Sequence, residues 1–550
     1  MSGCLLMNYL TICHSFHLKK SIHLLYISKL LWYMKYVFLF IALPFFSIST
    51  GQVLSPALAN FLPSTSSNPD LISTLSTADN SGNTYICGLA SSPTYYNVVH
   101  GNLLLKKFTY SNNVAYSQQL LGDLHVYAMV SDGTNTYIAL NYLTQLDYET
   151  LHLSSATMEE HPVLLKLDSA GHYLWHLDLS GNQVTRLRAL TLDQNNNIYI
   201  GYDNYLNSYI KKIQPNGTIL FTLLQENVKM ISTISVDLQG NMAVAGGCSE
   251  SNLQFNGTSA SNSLLYSTYI AYYNANQQLQ WVHFTEDITC SDPDVVIDPM
   301  GNVYFTAPLN GNFSVLGQTT QGPLGGEDFF LVKMNPQGNV VWLREVPGSG
   351  QFRLSKKKSL AVSSAQNYPS VIYLAGTTRN LVQWLPNFST NPGNQDDILL
   401  LAYDLNGTII HYNIGGSTSG NDRLDAIAIN SNGAIATISG ITTGTGTMQA
   451  MPINASSTGY SPFVITLSQV FLNQLDFETT VWSIAPNPAH DQLTIHCEQF
   501  TGEGKLYTLL GQILKSFEIN APDTTVSIAD LPKGVYLISL GSNTKRIVVD

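Results

Sequence analysis

Few residues in this chain are spaced for covalent chemistry. There is no GxSxG nucleophile elbow, HExxH zinc pair, Walker A loop or EF-hand loop. His125, His161 and His283 stand singly, and the acidic neighbours Glu159 and Glu160 have no second acidic pair at a useful spacing. Catalysis by proton transfer needs an acid and a base within hydrogen-bond reach of one substrate. No catalytic residue, metal ligand or cofactor-binding residue is therefore assigned. Cys87, Cys248, Cys290 and Cys497 show neither CxxC nor Cys/His metal spacing. A Cys248–Cys290 bridge and isolated buried thiols are both open readings. The chemistry that remains is recognition, by aromatic side chains in long spacers and by the cation pair Lys545 and Arg546 near the C-terminus.

The elements that must hold these groups are short strands. Residues 298–348 read as two hairpins, with turns at Gly301-Asn302 and Gly338-Asn339, a pairing that tolerates the positive φ of tight turns. Val303 and Phe305, then Val340 and Trp342, alternate with other residues at the period of a pleated strand. Four such strands cannot bury their apolar face alone. The unit recurs seven times between about Leu71 and Gln469, with first turns near Asp79, Ser131, Leu192, Val236, Ile297, Ser364 and Ile429. The spacing of roughly 45 to 70 residues is that of propeller blades. The expected fold class is all-β: a seven-bladed β-propeller over 52–469, a linker over 470–480, and a small immunoglobulin-like β-sandwich over 481–550. The seventh unit stops at FVITLSQ, one strand short. Residues 54–75 are expected to supply that strand and latch the ring.

Alternating strands put the short turns on one face and the long spacers on the other. The spacers are residues 91–101, 141–162, 248–264, 309–327, 377–396 and 443–460. They carry the candidate ligand-face aromatics Tyr95, Tyr96, Tyr148, Phe313, Trp384 and Phe388. Variable loops on one face of a rigid disc are a usual place for binding. The rival reading is overflow from a composition with 30 Tyr and 21 Phe.

Of 550 residues 44% are hydrophobic and 11% charged, which suits a β-rich extracellular protein. A net charge of −12 without a Lys/Arg stripe excludes nucleic acid as a partner. The basic run Lys356, Lys357 and Lys358 reads as a solvated loop. At the N-terminus, Lys35 precedes an apolar run over 37–46, which spans roughly 15 Å as a helix, half a bilayer core. A signal peptide over 34–51, cleaved near Gly51, behind an upstream extension over 1–33, is expected. A signal anchor from about Leu24 to Phe46 is the rival, with Lys29 and Lys35 inside it.

The repeats resemble a bacterial seven-bladed propeller repeat with the pattern D-x-x-G-N-x-Y, a spacer, then K-x-x-x-x-G-x-x-x-W. The fifth unit matches with Asp298, Gly301, Asn302, Tyr304, Lys333, Gly338 and Trp342; Trp175 and Trp281 hold the Trp place elsewhere. Such Trp residues read as wedges between blades, each burying ~150–250 Å². Asp168 to Trp175 (DSAGHYLW) also resembles the repeat of quinone-binding propeller dehydrogenases, but the vicinal Cys pair of that family is missing.

The terminal module carries Pro486, Asn487 and Pro488, then Gly511, then Gly534 and Tyr536, then Lys545 and Arg546, in that order. It closely resembles the type A C-terminal sorting domain of the type IX secretion system in Bacteroidota. That resemblance implies these eight residues as the sorting signal, the type IX machinery as partner, and a secreted or outer-surface location after export through the periplasm. The expectation is a monomeric, non-enzymatic propeller scaffold without cofactors, binding a glycan or surface protein. The alternatives are a secreted hydrolase or lyase acting on polysaccharide or peptide, and a purely structural surface-layer component.

Overall fold

The computed structural model describes residues 49–54, 74–89, 100–109, 113–179, 186–264, 266–286, 293–309, 314–320, 327–348, 350–363, 370–418, 420–430, 435–448, 451–454, 460–470, 482–497, 502–508, 513–540 and 543–550. The signal-peptide expectation, apart from residues 49–51, lies outside them, as do Tyr95, Tyr96, Phe313, Cys290 and Gly511. Every described regular element is a strand. Thr50–Gln469 forms one compact unit, and the strands of Val470–Asp550 belong to a second.

Among the described residues the first unit's strands follow one another in antiparallel groups of four; three groups stand as separate four-stranded sheets, and the others are joined to a neighbouring group or to added hairpins in sheets of six, seven and eight strands. In the fifth they are Asp294–Ile297, Val303–Leu309, Asp328–Met334 and Val340–Glu345, paired in chain order. The first strands of successive sheets meet side by side. Thr74–Ala78, the later half of Val114–Ser131, Arg186–Leu192, Thr233–Val236, Asp294–Ile297, Leu360–Ser363 and Arg423–Ile429 each touch the next. Arg423–Ile429 then touches Thr74–Ala78. A chain of sheets whose inner strands return to the first is a β-propeller. The closure is hydrogen-bonded: the Thr74 N–H and Oγ1 donate to Asp425 Oδ2 at 2.9 and 3.0 Å.

The repeat motif is a set of mutual contacts. Asp298 Oδ1 accepts from the N–H groups of Met300 and Asn302, and Oδ2 accepts from Asn302 Nδ2 and the Tyr304 hydroxyl. Gly301, at φ 80°, completes the turn. Lys333 and Trp342 of the same blade reach the next one, both donating to Leu405 O. Trp342 lies on Gly407, Trp281 on Gly338 and Trp175 on Gly217 of the following blade. The wedge reading of these Trp residues accounts for both their ring faces and their N–H groups.

The seventh sheet corrects one expectation. Its fourth strand is Ser49–Leu54, laid against Ser461–Val470. Of the segment 54–75, Leu54 ends that strand while Thr74 and Leu75 open the first blade's inner strand. The N-terminal segment therefore closes the sheet from further upstream than expected.

The spacers also differ from free loops. Asn252–Phe255 and Thr258–Ser261, from the fourth blade, form a hairpin that pairs with Ile219–Glu226, the outer strand of the third. Thr445–Met448 and Met451–Asn454, from the seventh, pair likewise with Ile409–Ser417 of the sixth. Leu146 and Asp147 of the second blade pair with Gly122 and Leu121 at the first blade's edge. An outer strand exposes unpaired N–H and C=O groups, and each of these hairpins covers one such edge.

In the second unit a three-stranded sheet (Trp482–Ala485, Gln492–Cys497, Asp523–Ser527) and a four-stranded sheet (Gly502–Thr508, Ile513–Ile519, Gly534–Leu540, Asn543–Val549) share one core. Trp482, Leu493, Ile495, Leu506, Ile538 and Ile547 fill it.

Candidate functional site

The inner strands of the propeller wall a cavity of about 580 Å³, a volume common among ligand clefts. Each inner strand starts at one end of this channel and reaches its turn at the other. At the turn end the carboxylates serve the turns: Asp193 Oδ1 accepts from the N–H groups of Asn195 and Asn197, and Asp237 Oδ1 from those of Gln239 and Asn241.

The opposite end is different. His125 and Tyr127 come from the second blade, Arg186 and Arg188 from the third, Lys357 from the sixth and Arg423 from the seventh. Lys357 Nζ lies 5.1 Å from the centre of the Tyr127 ring and 3.3 Å from His125 Nε2. The His125 and Tyr127 rings meet edge-on at 4.5 Å. The buried Asp203 carboxylate lies 3.8 Å from Arg186 Nε and 3.6 Å from Arg188 Nε. The Arg186 guanidinium covers the exposed Tyr205 ring at 4.7 Å. Arg423 pairs with Asp425 at 2.8 Å, and His100 with Glu160 at 3.0 Å. Burial, and after it the Glu160 carboxylate, push the Tyr127 phenol well above its ordinary pKa, while Arg188 and Arg186 act the other way.

Two local features deliver this cluster. Arg186 and Arg188 stand seven and five residues before the turn residue Asp193, His125 and Tyr127 likewise before Asp132, and Arg423 and Asp425 before Asn430. One repeat register thus aims different side chains at one place. The second feature is a break in the sixth blade's inner strand. Gln351–Leu354 and Leu360–Ser363 both pair with Val371–Arg379, and residues 355–359 bulge out between them. The bulge is clipped to the seventh blade: Lys356 N–H donates to Leu424 O, Lys357 N–H to Asp425 O at 2.7 Å, and Ile427 N–H to Lys358 O. Lys356 is exposed, as a solvated loop would have it, but the solvated-loop reading is corrected for the other two lysines. Lys357 and Lys358 are half-buried and line the channel.

The three described ligand-face aromatics are packing residues. Tyr148, Trp384 and Phe388 are all buried. Tyr148 donates its hydroxyl to the Gly171 carbonyl. Trp384 meets Phe352 edge-on at 5.8 Å and donates to Thr390 Oγ1, while Phe388 stacks on Tyr412. The spacers that carry these rings bury a face against other parts of the fold, and the aromatics supply it. Cys87, Cys248 and Cys497 are buried free thiols.

Sequence spacing also missed a carboxylate pair. Asp397 and Asp422 converge on one side of Gly416, so close that a side chain at Gly416 would meet both carboxylates at 2.6 Å. Burial raises both to about 6, and raises Asp328 to about 7. Asp422 Oδ2 accepts from the Ser417 N–H at 2.6 Å. The pair does not line the channel. Among the described residues no group of three or more His, Cys, Asp or Glu is placed to hold a metal ion.

In the terminal sandwich two separated landmarks come together. Asn487 Nδ2 donates to Arg546 O at 3.0 Å, and Asn487 Oδ1 accepts from the Val548 N–H at 2.8 Å. The Ala489 N–H donates to Val548 O, and the Asp550 N–H to Ala489 O. The segment from Pro486 to Ala489 therefore zips the free side of the last strand, Asn543–Val549. Pro486 and Pro488 follow cis peptide bonds on either side of Asn487. Lys545 donates to the Trp482 carbonyl and lies over its ring at 4.9 Å; Lys545 and Arg546 are both exposed. Gly534 opens its strand, and the Tyr536 hydroxyl donates to Pro532 O at 2.7 Å.

Comparison with known proteins adds the following. Residues 483–550 match the family described as a secretion system C-terminal sorting domain. Virginiamycin B lyase from Staphylococcus aureus is similar over 76% of this chain and 98% of its own, at 11% identity and a TM-score of 0.38. The Dos1 propeller is similar over 72% and 93%, at 10% identity and a TM-score of 0.36. PorZ, a surface component of the type IX secretion system of Porphyromonas gingivalis, is similar over 87% and 81%, at 10% identity and a TM-score of 0.25. No curated protein matches the sequence. The strand order and the inner-strand ring establish the propeller without help from these distant likenesses. Residues 483–550 are thus a type IX C-terminal sorting domain, and the chain is an exported, propeller-bearing protein of the cell surface or the medium.

Proposed function

We propose that this protein is a non-enzymatic binding propeller, exported by the type IX route and taking its ligand at the cationic end of the channel. The observation that carries this reading is the convergence of Tyr127, Arg188 and Lys357 from three blades on the wall of a ligand-sized cavity, with His125 against Lys357. Side chains at that mouth differ from blade to blade, whereas the turn Asp and the Lys–Trp wedge recur. A repeat keeps what its fold needs and varies where a specific partner sits. A glycan or a surface protein is the class of partner.

The meeting of His125 with Tyr127 is the feature that best favours a hydrolase or lyase. It supports that reading less well, because the Asp397–Asp422 pair lies away from the channel lining. The experiment is a glycan and protein array probed with the full secreted protein and with an Arg188→Gln/Lys357→Gln variant. Wild-type signal lost in the variant is the expected result. Turnover of an arrayed polysaccharide or peptide by the wild type would replace the binding reading with the enzymatic one.

Pro486, Asn487, Pro488, Gly511, Gly534, Tyr536, Lys545 and Arg546 act in this reading as the sorting signal. The exposed Arg546 is the contact for the export machinery, while Asn487 and Lys545 hold the terminal strand in shape. Arg546→Glu is expected to leave the protein folded and trap it in the periplasm, as read by fractionation.

A further inference from the structure

An Asn side chain followed by Gly can react with the chain's own backbone. The sequence holds five Asn-Gly pairs, and those beginning at 216, 256 and 406 lie among the described residues. In two of the three the turn withholds the reacting nitrogen. The Gly217 N–H donates to Gln214 O at 2.9 Å and the Gly407 N–H to Asp404 O at 3.0 Å. Trp175 lies on Gly217 and Trp342 on Gly407, and Arg344 holds the Asn406 carbonyl at 3.0 Å. Asn256-Gly257 differs. It is the two-residue tip of the hairpin between Asn252–Phe255 and Thr258–Ser261, with φ of 50° and 82°, as a tight hairpin turn requires. Both residues are exposed, and no atom lies within 4 Å of where a Gly257 side chain would begin. The Gly257 N–H donates to no backbone carbonyl of the described residues. The tip is held instead through Asn256, whose N–H donates to Leu224 O at 2.8 Å and whose Nδ2 donates to Gln277 O at 2.9 Å.

From this contrast we infer that Asn256 is a site of spontaneous modification, converting to aspartate and isoaspartate. The Gly257 nitrogen attacks Asn256 Cγ and loses its proton to water. The bond from Cγ to Nδ2 breaks, and ammonia leaves with a proton taken from water. A water molecule then opens the succinimide at either carbonyl, giving aspartate or the β-linked isomer. One water enters, one ammonia departs, and nothing is oxidised or reduced. Glycine lets the ring close because no side chain crowds the attacking nitrogen. Both products unfasten the tip. A carboxylate has no N–H to give to Gln277 O, and the β-linked isomer adds a backbone carbon to a turn that two residues shape. The hairpin's pairing with Ile219–Glu226, Phe255 to Gln225 and Gln254 to Glu226, loosens with it, and the edge it covers opens. This chemistry is independent of what the channel holds.

The test is peptide mapping by mass spectrometry of the full secreted protein, aged in mildly alkaline buffer both folded and in denaturant. Aspartate and isoaspartate are read at the three pairs. In the folded protein Asn256 should convert about tenfold faster than Asn216 or Asn406, the rate equivalent of one hydrogen bond that must first open. In denaturant the three should convert alike. An Asn256 that converts no faster than the other two in the folded protein would overturn the inference. So would the same ranking in denaturant, since the sequence and not the fold would then set it. Asn256→Asp makes one product directly, and amide exchange over residues 252–256 should quicken in it. Should that variant unfold, the aged wild type gives the same reading. Unchanged exchange over 252–256 after conversion would overturn the loosening.

Discussion

Single residues show how economically the repeat is written. Asp79, Asp132 and Asp298 are each tied to their own turn's Asn and Tyr, and Trp175, Trp281 and Trp342 to the next blade's Gly. Trp281 covers Gly338 and donates to Pro336 O at 3.0 Å. Trp281→Ala removes that packing and is expected to cost about 2–4 kcal/mol, read from denaturant unfolding. Asp422 offers a pH test. Burial raises its folded pKa, and that of Asp397, from 3.8 to about 6. Folding therefore favours the neutral acid. The stability this contributes is complete below about pH 3.8 and is lost as pH rises through about 6. Asp422→Asn keeps an acceptor for the Ser417 N–H without the charge. Its melting temperature should exceed that of the wild type at pH 7.5, with the gap closing by pH 4. A gap independent of pH would show that the carboxylate is not held neutral. In the sorting module, Asn487→Ala removes two hydrogen bonds to the last strand, worth about 1–3 kcal/mol together. Faster amide exchange at Val548 is the expected readout.

Strands and hairpins are the scale at which the sequence was only partly legible. The hairpin turns could be read because a Gly-Asn pair after an Asp states its conformation locally. The spacers could not. Whether 248–264 is a loop or a hairpin lapped onto Ile219–Glu226 depends on an edge some thirty residues away in sequence. The closing strand posed the same difficulty. Ser49–Leu54 and Ser461–Val470 pair across the length of the ring, and nothing local in either names the other. Deleting residues 49–54 should lower the melting temperature of the propeller more than deleting an equal length from 60–65. Equal loss from the two deletions would argue against the closing role. The expected cleavage near Gly51 falls inside this strand, so the mature N-terminus, measured by mass spectrometry, decides how much of it the exported protein keeps.

At the scale of the whole molecule, the sorting domain and the propeller are different units. Removing residues 483–550 should stop the protein at the periplasm, as read by fractionation. What the sequence alone determined was whatever is written in local chemistry or short-period repetition: the strand content, the recurring unit, the turn and wedge residues, and the ordered landmarks of the sorting module. Only the tertiary structure decided which blade-specific side chains share a place. His125, Arg188, Lys357 and Arg423 are spread over some three hundred positions. They meet because a ring brings the start of each inner strand to one mouth, and ring closure is a long-range event without a local signature. Tyr148, Trp384 and Phe388 are covered for a related reason: exposure is settled by which neighbour covers a ring, and Gly171, Phe352 and Tyr412 reach these rings from elsewhere in the chain.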